Sequence, residues 1–593
     1  MKKKSFILLL LLIPLSLHSL PLNDTQIVNP SNLVYEQFKN LQLETGKFVF
    51  TQNTPISVAE MKFYLGEFDY DSLSLHARGL YDAVHAFLYG RENLLNDEAL
   101  ELTLHPAINL EGYYKTNDDI PWSFKYNVKD FFMTAPLYIG FGNEVSTGAD
   151  FFYGKNAIAA AKPDNFWNLP VDVTDLYHVY HQEFEFPRFA FMSFGKNMEG
   201  WGYNFHLGKS EKTIGDTKTG SIIYNKTFET DAYAELSFYT NKLKLTTDVV
   251  QVSSNLMDSM QGNNTERYLY IHQFDIRLLD NLKVTLLEGS MTVNPFSIRF
   301  LNPLPFMHQY GGWKNYVTSE NAKVYRESNF CADFAFMFEW MPVRNVRLYG
   351  IYDQVEMQTY WERGNGWGKY YPNSIALQAG CDWNLNLQNG ALLSMNVEGV
   401  YTSPYMYVKQ VPSSSLYRWR VDMQTKKNVY SWIGTPFGPD CIAGQFSMDY
   451  KPAGKWQLGL GYLFVAKGEK FDLKDGQSID TFFSEVEDDN GNKYYNYYPS
   501  VQFKLHDDDK GKTTPILSDE IDKDALARDA LNMLPSGTLE MTHQVSLNGT
   551  YLINDSWELS GQIAVDYILN REHAKNRNEF GVETALCVTY RLF

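Results

Sequence analysis

Residues 374–400 have the sequence SIALQAGCDWNLNLQNGALLSMNVEGV, and this stretch contains the pattern that decides the fold. Apolar side chains occupy alternate positions in residues 375–385 and again in residues 393–397, with polar or small residues between them. The two runs are separated by Asn389-Gly390, the dipeptide that best supplies the two positive φ angles of a tight hairpin turn. The stretch therefore predicts two long antiparallel strands joined by a short turn.

The same alternation recurs from about residue 100 to the C-terminus. Some neighbouring segments are joined by very short turns and others by long connections. The short turns lie at 241–242, 280–281, 342–345, 389–390, 451–454 and 554–555, and the long connections span 353–374, 403–439 and 466–541. Short turns at one end of the strands and long loops at the other are typical of outer-membrane β-barrels.

The length of the alternating segments indicates a bilayer. Segments of about ten residues suit tilted strands that cross a membrane, with apolar side chains facing lipid and polar ones facing the lumen. Because every backbone N–H and C=O group in lipid must be paired, such a sheet has to close on itself. We therefore predict an all-β fold, a closed antiparallel transmembrane β-barrel of about 16–18 strands. A secreted β-sandwich or propeller is the alternative, because alternation also fits a packed second sheet.

The composition is compatible with a barrel. The 593 residues carry a formal net charge of −18 and include 15% aromatic residues, and the mean hydropathy is −0.34. This polar mean value fits because only alternate residues face lipid, while the long loops face water. The acidic balance argues against nucleic acid as a partner, since phosphate binding needs clustered Lys and Arg. We predict aromatic girdles at the two membrane interfaces that include Trp383, Trp456, Tyr462, Trp557 and Tyr567.

The first residues have the composition of an export signal. A basic stretch at residues 2–4 precedes an apolar run over residues 6–17, and small or polar residues follow. We predict a signal peptide at 1–19, cleaved after Ser19. A membrane anchor is disfavoured because a spanning helix needs about 20 apolar residues. The four cysteines lie far apart, at Cys331, Cys381, Cys441 and Cys587, and we assign no disulfide to them.

Helical periodicity precedes the alternating region, so we predict a small helical periplasmic segment at 20–97 and the barrel at 98–593. Ser57 and Glu60 have the spacing of a capping box, in which each side chain bonds the backbone N–H of the other residue. A long apolar stripe ends at Gly90, and a weaker one has Ser31 as its predicted cap. The long stripe is Leu73, Ala77, Leu80, Val84 and Phe87, and the weaker one is Val34, Phe38 and Leu41. A purely structural role is the simplest interpretation of these helices.

Sequence patterns that indicate catalysis are missing. The chain contains no His-x-x-x-His pair of a zinc site and no Gly-x-Ser-x-Gly elbow of a serine hydrolase. These patterns give no support for a zinc site or a serine hydrolase. Linear spacing does not show whether a pair of lumenal carboxylates could act on a sugar.

Two of the long connections contain aromatic clusters beside polar residues. A sugar ring has an apolar C–H face and a polar rim, so an aromatic ring next to amide or charged groups matches it. The candidate sugar platforms are Trp361, Glu362, Arg363, Trp367, Tyr370 and Tyr371 in one loop and Tyr494, Tyr495, Tyr497 and Tyr498 in another. The alternative is that these rings pack the loops together or extend the outer girdle, since aromatic residues bury large areas. A helix is predicted within 518–534, over the barrel mouth or in the lumen.

Several of these features resemble the Wzi family of outer-membrane capsule-assembly proteins. The helical start has that family's rhythm, the glycine-rich stretch over residues 195–210 resembles its early strand and turn, and residues 301–306 resemble its mid-barrel Asn-Pro-Leu segment. The residues that carry the helical resemblance are Leu41, Gly46, Pro55, Ser57, Met61 and Leu65. The resemblance covers most of the chain loosely and is sharpest between about 187 and 308. The loop at 466–541 has no counterpart in it.

The resemblance implies a non-enzymatic outer-membrane barrel that binds surface or capsular polysaccharide and helps to hold it on the cell, with no metal or cofactor. The expected partners are this polysaccharide and outer-membrane lipid, and the expected state is a monomer. Two other hypotheses stay open, namely a porin-like channel for small solutes and an adhesin that uses the exposed aromatic loops.

Overall fold

The structure is a computed structural model, and it describes most of the predicted barrel and helical segment. The predicted signal peptide lies outside the described residues except for Ser19. The described residues are 19–20, 23–92, 95–96, 100–117, 119–120, 132–153, 189–226, 231–252, 266–293, 296–302, 307, 330–364, 369, 372–388, 390–409, 414–421, 428–452, 455–472, 483–487, 493–497, 501–505, 513–515 and 523–592.

Helices are a minor part of the described chain. They are α1 (Val34–Thr45), α2 (Val58–Leu65), α3 (Leu75–Tyr89), α4 (Tyr360–Gly364) and α5 (Lys523–Ala530), with short 3-10 turns at Tyr70–Ser72, Ile298–Leu301 and Arg571–His573. Among the residues described, no helix is both long and apolar enough to span a membrane.

Strands follow one another through the rest of the chain. The first are β1 (Ser19–Leu20), β2 (Arg91–Glu92), β3 (Leu95–Asn96), β4 (Glu101–Leu104), β5 (Ala107–Lys115), β6 (Met133–Phe141), β7 (Val145–Tyr153), β8 (Ala190–Met198), β9 (Trp201–Ser210), β10 (Asp231–Thr240), β11 (Leu243–Val252), β12 (Arg267–Leu279), β13 (Leu282–Val293) and β14 (Phe330–Val343). The others are β15 (Val346–Glu356), β16 (Ser374–Asn386), β17 (Leu392–Thr402), β18 (Tyr417–Val421), β19 (Asn428–Trp432), β20 (Cys441–Lys451), β21 (Trp456–Lys467), β22 (Phe483–Glu487), β23 (Lys493–Tyr497), β24 (Val501–Leu505), β25 (Thr513–Pro515), β26 (Glu540–Leu552), β27 (Trp557–Leu569) and β28 (Glu579–Arg591).

Within the described chain, 18 strands close into one antiparallel barrel, which confirms the predicted fold and strand number. Closure occurs where β28 pairs with β5, from Arg591 opposite Ala107 to Glu583 opposite Lys115. We count β4 and β5 as one barrel strand interrupted near Pro106, because both pair with β6, and we leave out β3, whose two residues pair only with β4. Proline has no N–H for the ladder, which accounts for the interruption. A hairpin of β18 and β19 and a four-stranded sheet of β22–β25 stand apart from the barrel sheet.

The two faces of the barrel wall differ as the alternation predicts. On β27 the outward Ile563 is 51% exposed, whereas the inward Gln562 and Asp566 are buried. Tryptophan side chains at the end with the tight turns are exposed, at Trp201, Trp340, Trp456 and Trp557. This ring of indoles marks one membrane interface, as the predicted girdle requires. Tyr462 differs from its prediction, because it lies near the middle of β21.

The helical segment has the predicted helices but different caps. Ser57 accepts a hydrogen bond from the Glu60 backbone N–H at 3.2 Å, which is half of a capping box. The expected return bond is wrong, because the Glu60 carboxylate instead pairs with Lys244 of β11 at 2.6 Å. Ser31 is also not the cap of α1, since the Val34 N–H donates to Asn32 Oδ1. The predicted stop of α3 at Gly90 is confirmed.

The lumen contains three chain segments. We call residues 23–68 the N-terminal segment, residues 211–226 the inner segment, and the described residues of 403–440 the outer segment. The N-terminal segment lies at the end with the tight turns, where the Phe48 N–H donates to Asp280 O and the Asn345 N–H to Leu43 O. This end faces the periplasm in outer-membrane barrels. The largest hydrophobic core joins residues of the inner and outer segments to inward residues of the wall, such as Ile222, Tyr407 and Met337.

Candidate functional site

Buried ion pairs fix the N-terminal and inner segments to the barrel wall. Lys39 of α1 lies 2.9 Å from Asp216 of the inner segment and 3.1 Å from Asp382 of β16. Arg347 of β15 contacts the same two carboxylates and also Glu339, at 2.7 Å. Charges taken out of water need such partners, because an unpaired buried charge is costly. This network connects a helix, the inner segment and three strands.

A backbone ladder then continues through the lumen. Thr54 of the N-terminal segment pairs with Thr213, and Ile214 pairs with Tyr224, both as isolated β-bridges. From the inner segment, the Asn225 N–H donates to Ile433 O of the outer segment at 2.9 Å. The three segments therefore form one hydrogen-bonded column that connects the periplasmic end of the lumen with its outer end.

Arginines hold the outer segment in place. Arg267 of β12 donates to Tyr417 O at 3.0 Å and to Ser415 O, and its guanidinium lies 4.1 Å from the centre of the Tyr417 ring. Arg418, on the outer segment itself, forms an ion pair with Asp231 of β10 at 3.3 Å. Both arginines are almost fully buried, so the hairpin of β18 and β19 is anchored inside the barrel mouth.

The outer mouth is also fastened by α5 and by a turn before β28. Asp529 of α5 pairs with Lys470 and accepts from the Tyr405 hydroxyl. His573 bonds Asp472 at 3.2 Å through Nε2 and Thr538 O at 2.8 Å through Nδ1. Burial alone would lower the pKa of His573, but Asp472 and the Thr538 carbonyl hold it above its usual value. The predicted helix at 518–534 is thus present in part, against the mouth.

Beside the column, the lumen keeps a cavity of about 1110 Å³, lined by both polar and aromatic side chains. One wall consists of inward side chains of β20, β21 and β26. Its residues are Gln445, Ser447, Gly461, Leu463, Gln544 and Ser546. The opposite side is formed by the N-terminal and inner segments, including Asn29, Glu36, Lys39, Thr217 and Thr219, and the cavity reaches Lys467 and Asp472 at the outer end of β21. Its volume is slightly above the range of about 300–1,000 Å³ that is typical of small-molecule sites.

The predicted sugar platforms are only partly described. Trp361, Glu362 and Arg363 lie on α4, between β15 and β16, and Trp361 is 73% exposed. Glu362 caps its own helix through Thr359, and Arg363 donates to Asn373 Oδ1 at 2.8 Å. Tyr494, Tyr495 and Tyr497 lie on β23, in the sheet outside the barrel wall. The other four candidates, Trp367, Tyr370, Tyr371 and Tyr498, lie outside the described residues.

The structure adds two features that the sequence reasoning missed. Tyr360 precedes Trp361 and is 96% exposed, so two aromatic rings are presented together on α4. The hydroxyl and amide side chains of the cavity wall were not singled out either. Their only signal in the sequence is their inward parity on β20, β21 and β26, which many water-facing residues share. Within the described chain, no group of His, Cys, Asp and Glu side chains has metal-site geometry.

Comparisons with known proteins give a fold and no close relative. No protein-family model and no curated protein matches the sequence. The chain is structurally similar to Wzi of Escherichia coli, an outer-membrane protein involved in group 1 capsule assembly and a carbohydrate-binding β-barrel, with a TM-score of 0.51 and 9% identity over 95% of this chain and 98% of that one. A variant of OccD1 (OprD) gives a TM-score of 0.38 and 11% identity over 82% and 95% of the two chains.

A third similar structure is OmpT of Vibrio cholerae, with a TM-score of 0.29 and 9% identity over 84% of this chain and 99% of that one. At such identities the likeness to Wzi shows the fold alone, since one fold can serve many functions. Together with the outward apolar face and the tryptophan ring, it identifies the chain as an outer-membrane β-barrel.

Proposed function

We propose that this barrel binds surface or capsular polysaccharide and helps to attach or assemble it at the cell surface, without enzymatic activity. The observation that carries the proposal is the filled lumen. Three segments of the chain itself occupy it, joined to one another by backbone hydrogen bonds and to the wall by buried ion pairs. Such a barrel is organised to present a surface, whereas a channel needs an unobstructed path.

The outer end offers a surface of suitable chemistry. Tyr360 and Trp361 are both exposed on α4, in the same helical turn as Glu362 and Arg363. Aromatic rings give apolar faces for sugar C–H groups, and the charged neighbours can bond hydroxyls. The likeness to Wzi, a carbohydrate-binding barrel involved in capsule assembly, supports the same assignment and membership of the Wzi family.

The test is to delete the gene and measure cell-bound and released polysaccharide. We expect the bound fraction to fall and the released fraction to rise, whereas unchanged retention would refute the proposal. A Tyr360→Ala/Trp361→Ala double variant should lower retention and weaken binding of purified polysaccharide. Tyr70→Ala is the matched control, because Tyr70 is 38% exposed and belongs to the helical region at the opposite end of the barrel.

The channel alternative has a separate readout. Planar-bilayer conductance of the purified protein should be small if the column of three segments blocks the lumen. A large, stable conductance without loss of polysaccharide on deletion would favour the porin-like function instead.

A further inference from the structure

The wall of the lumenal cavity has an unusual composition for this barrel. Ser447, Gly461 and Ser546 face one another across three neighbouring strands, and Gln445, Leu463 and Gln544 form the next row. All six line the cavity, and none carries a charge. A wall of hydroxyls and amides can donate and accept hydrogen bonds in the pattern that sugar hydroxyls require.

The amide groups of this wall are held in fixed orientations. Gln445 donates to Asn396, and Gln544 donates to Asp566 Oδ1 at 2.7 Å. In both residues the NH₂ group is engaged, so the carbonyl oxygen of the amide is available as an acceptor. Thr217, on the inner segment across the cavity, has a buried hydroxyl with no partner among the described residues. A buried hydroxyl left unpaired is costly, and a ligand hydroxyl or an ordered water would satisfy it.

Small residues keep this space open. A Cβ atom on Gly461 would lie 2.7 Å from Ser546 Oγ, so even an alanine would crowd the row. The serines on either side of Gly461 are the smallest hydroxyl-bearing residues. The wall is therefore recessed along this row.

The charges around the cavity compensate one another. Lys39 pairs with Asp216, Lys283 with Glu339, and Glu36 with Lys451. At the outer end, the Lys467 ammonium is bonded to the carbonyl oxygens of Phe437 and Pro439. Paired charges give the space little net field, which favours a neutral polar ligand over an ion.

We propose that this lumenal cavity is a second glycan site, which takes a short neutral oligosaccharide, the end of the polysaccharide chain held at the cell surface. This inference rests on the proposed function. It adds the place where the end of the polysaccharide binds. The cavity reaches Lys467 and Asp472 at the outer end of β21, on the side from which a surface glycan would enter. Tyr360 and Trp361 on α4 would then bind the body of the polysaccharide, and the lumenal cavity would bind its terminus.

The experiment uses the purified full-length barrel and two probes prepared from the surface polysaccharide of the producing cell. These are the intact polymer and its neutral disaccharide to tetrasaccharide fragments from partial hydrolysis. Ser447→Trp and Ser546→Trp place an indole in the cavity. Leu547→Trp is the matched control, because it puts the same ring on the adjacent residue of β26, which is 51% exposed on the lipid side.

We expect calorimetric titration to show fragment binding to the wild type, weakened about tenfold or more by either serine substitution and unchanged in Leu547→Trp. The Tyr360→Ala/Trp361→Ala variant should bind fragments normally and the intact polymer weakly. If an indole prevents folding, Ser546→Ala keeps the test available, since loss of one hydroxyl should weaken fragment binding about threefold to tenfold.

Four other results would overturn the inference. Fragment binding that survives both serine variants, or that is lost only in the α4 variant, would place the fragments outside the lumen. Polymer binding without any fragment binding would show that the cavity holds water only, and in each of these cases the proposed function stands. If neither probe binds the wild type, both the inference and the proposed function fail.

Discussion

The two sides of the lumen solve different physical problems. The wall of β11–β16 is lined by long charged side chains. Lys244 and Arg347 reach inward and pair with Glu60 of the N-terminal segment and Asp216 of the inner segment. The wall of β20, β21 and β26 has Ser447, Gly461 and Ser546 at equivalent inward positions, and it borders the cavity. Arg347 and Glu339 border the same cavity, so the two sides differ in chemistry and not in access to it. The first is a holding side, which fixes chain segments through ion pairs, and the second is an open side with small neutral side chains.

The two sides should differ in how strongly the stability of the fold depends on single residues. A buried ion pair is worth little over a well-packed apolar pair, but it is very sensitive to the loss of one partner. The β11–β16 side should therefore be intolerant of single changes. The cavity side has few interactions that depend on one residue, so its residues are free to serve a ligand. Substitutions on the two sides can test this contrast.

The largest effect is expected for Glu60→Ala. Glu60 and Lys244 are each 1% exposed, and their side chains are 2.6 Å apart, so the substitution leaves an ammonium buried without its partner. We expect the free energy of unfolding to fall by about 3–5 kcal/mol. This loss would be measured by urea unfolding in detergent micelles, with the heat-modifiable electrophoretic mobility of the barrel as the readout.

A Glu60→Met/Lys244→Met double variant is the control, because it removes both charges and keeps a similar volume. It should recover most of the lost stability. An equal loss in the single and double variants would mean that packing, and not the buried charge, carries the effect.

Arg267→Met should have the next largest effect. Its guanidinium bonds the carbonyl oxygens of Ser415 and Tyr417, and charge-assisted hydrogen bonds contribute about 1.5–3 kcal/mol each. We expect the hairpin of β18 and β19 to leave the mouth more often, seen as faster limited proteolysis of the outer segment and as increased bilayer conductance. Arg571→Met is the control, because Arg571 forms an ion pair with Glu540 at the rim of the barrel. It should change neither the rate of proteolysis nor the conductance greatly. Unchanged conductance in Arg267→Met would show that this arginine does not keep the lumen closed.

The sequence predicted the wall better than its contents, for a physical reason. Lipid forces a period of two on every strand, so the hairpin around 389–390 could be recognised from spacing alone. The stripe that ends at Gly90 has the helical period instead, because one face of α3 packs against the other helices. Residues 211–226 have no such period, because an irregular segment in a lumen is stabilised by long-range contacts. Glu60 shows the limit most clearly. Its spacing from Ser57 fits a local capping box, but a lysine 184 positions away competes successfully for the carboxylate.

The third prediction concerns pH. The carboxylate of Glu44 accepts from Asn386 of β16 at 2.6 Å and from Ser74 at 2.9 Å, and it lies 3.8 Å from His76. The nearby His76 ring, followed by the hydrogen bonds from Asn386 and Ser74, lowers the pKa of Glu44 to about 2. A carboxyl group with a lowered pKa adds stability above its unfolded pKa of about 4.3, and this contribution is lost as the pH falls towards 2.

We therefore expect Glu44→Gln to destabilise the helical segment by about 1 kcal/mol or less at pH 6, so that protease cleaves it faster than in the wild type. The effect is small because the pair is partly hydrated. The two proteins should converge as the pH falls to about 2. Protease resistance that differs equally at both pH values would show that Glu44 acts through shape and not through its charge.

The smallest effect should come from the cavity wall, and a buried, hydrogen-bonded serine elsewhere on the barrel wall gives the comparison. Ser546 has no side-chain partner among the described residues, whereas Ser193, on β8, accepts a bond from Asn204 Nδ2 at 2.9 Å and is fully buried. Ser546→Ala should change the unfolding free energy by less than about 0.5 kcal/mol, and Ser193→Ala should cost about 1 kcal/mol. Urea unfolding midpoints of the two variants and the wild type, measured under the same conditions, would test this difference. A larger loss for Ser546→Ala would mean that its hydroxyl supports the fold, and the contrast between a holding side and an open side would no longer apply at this position.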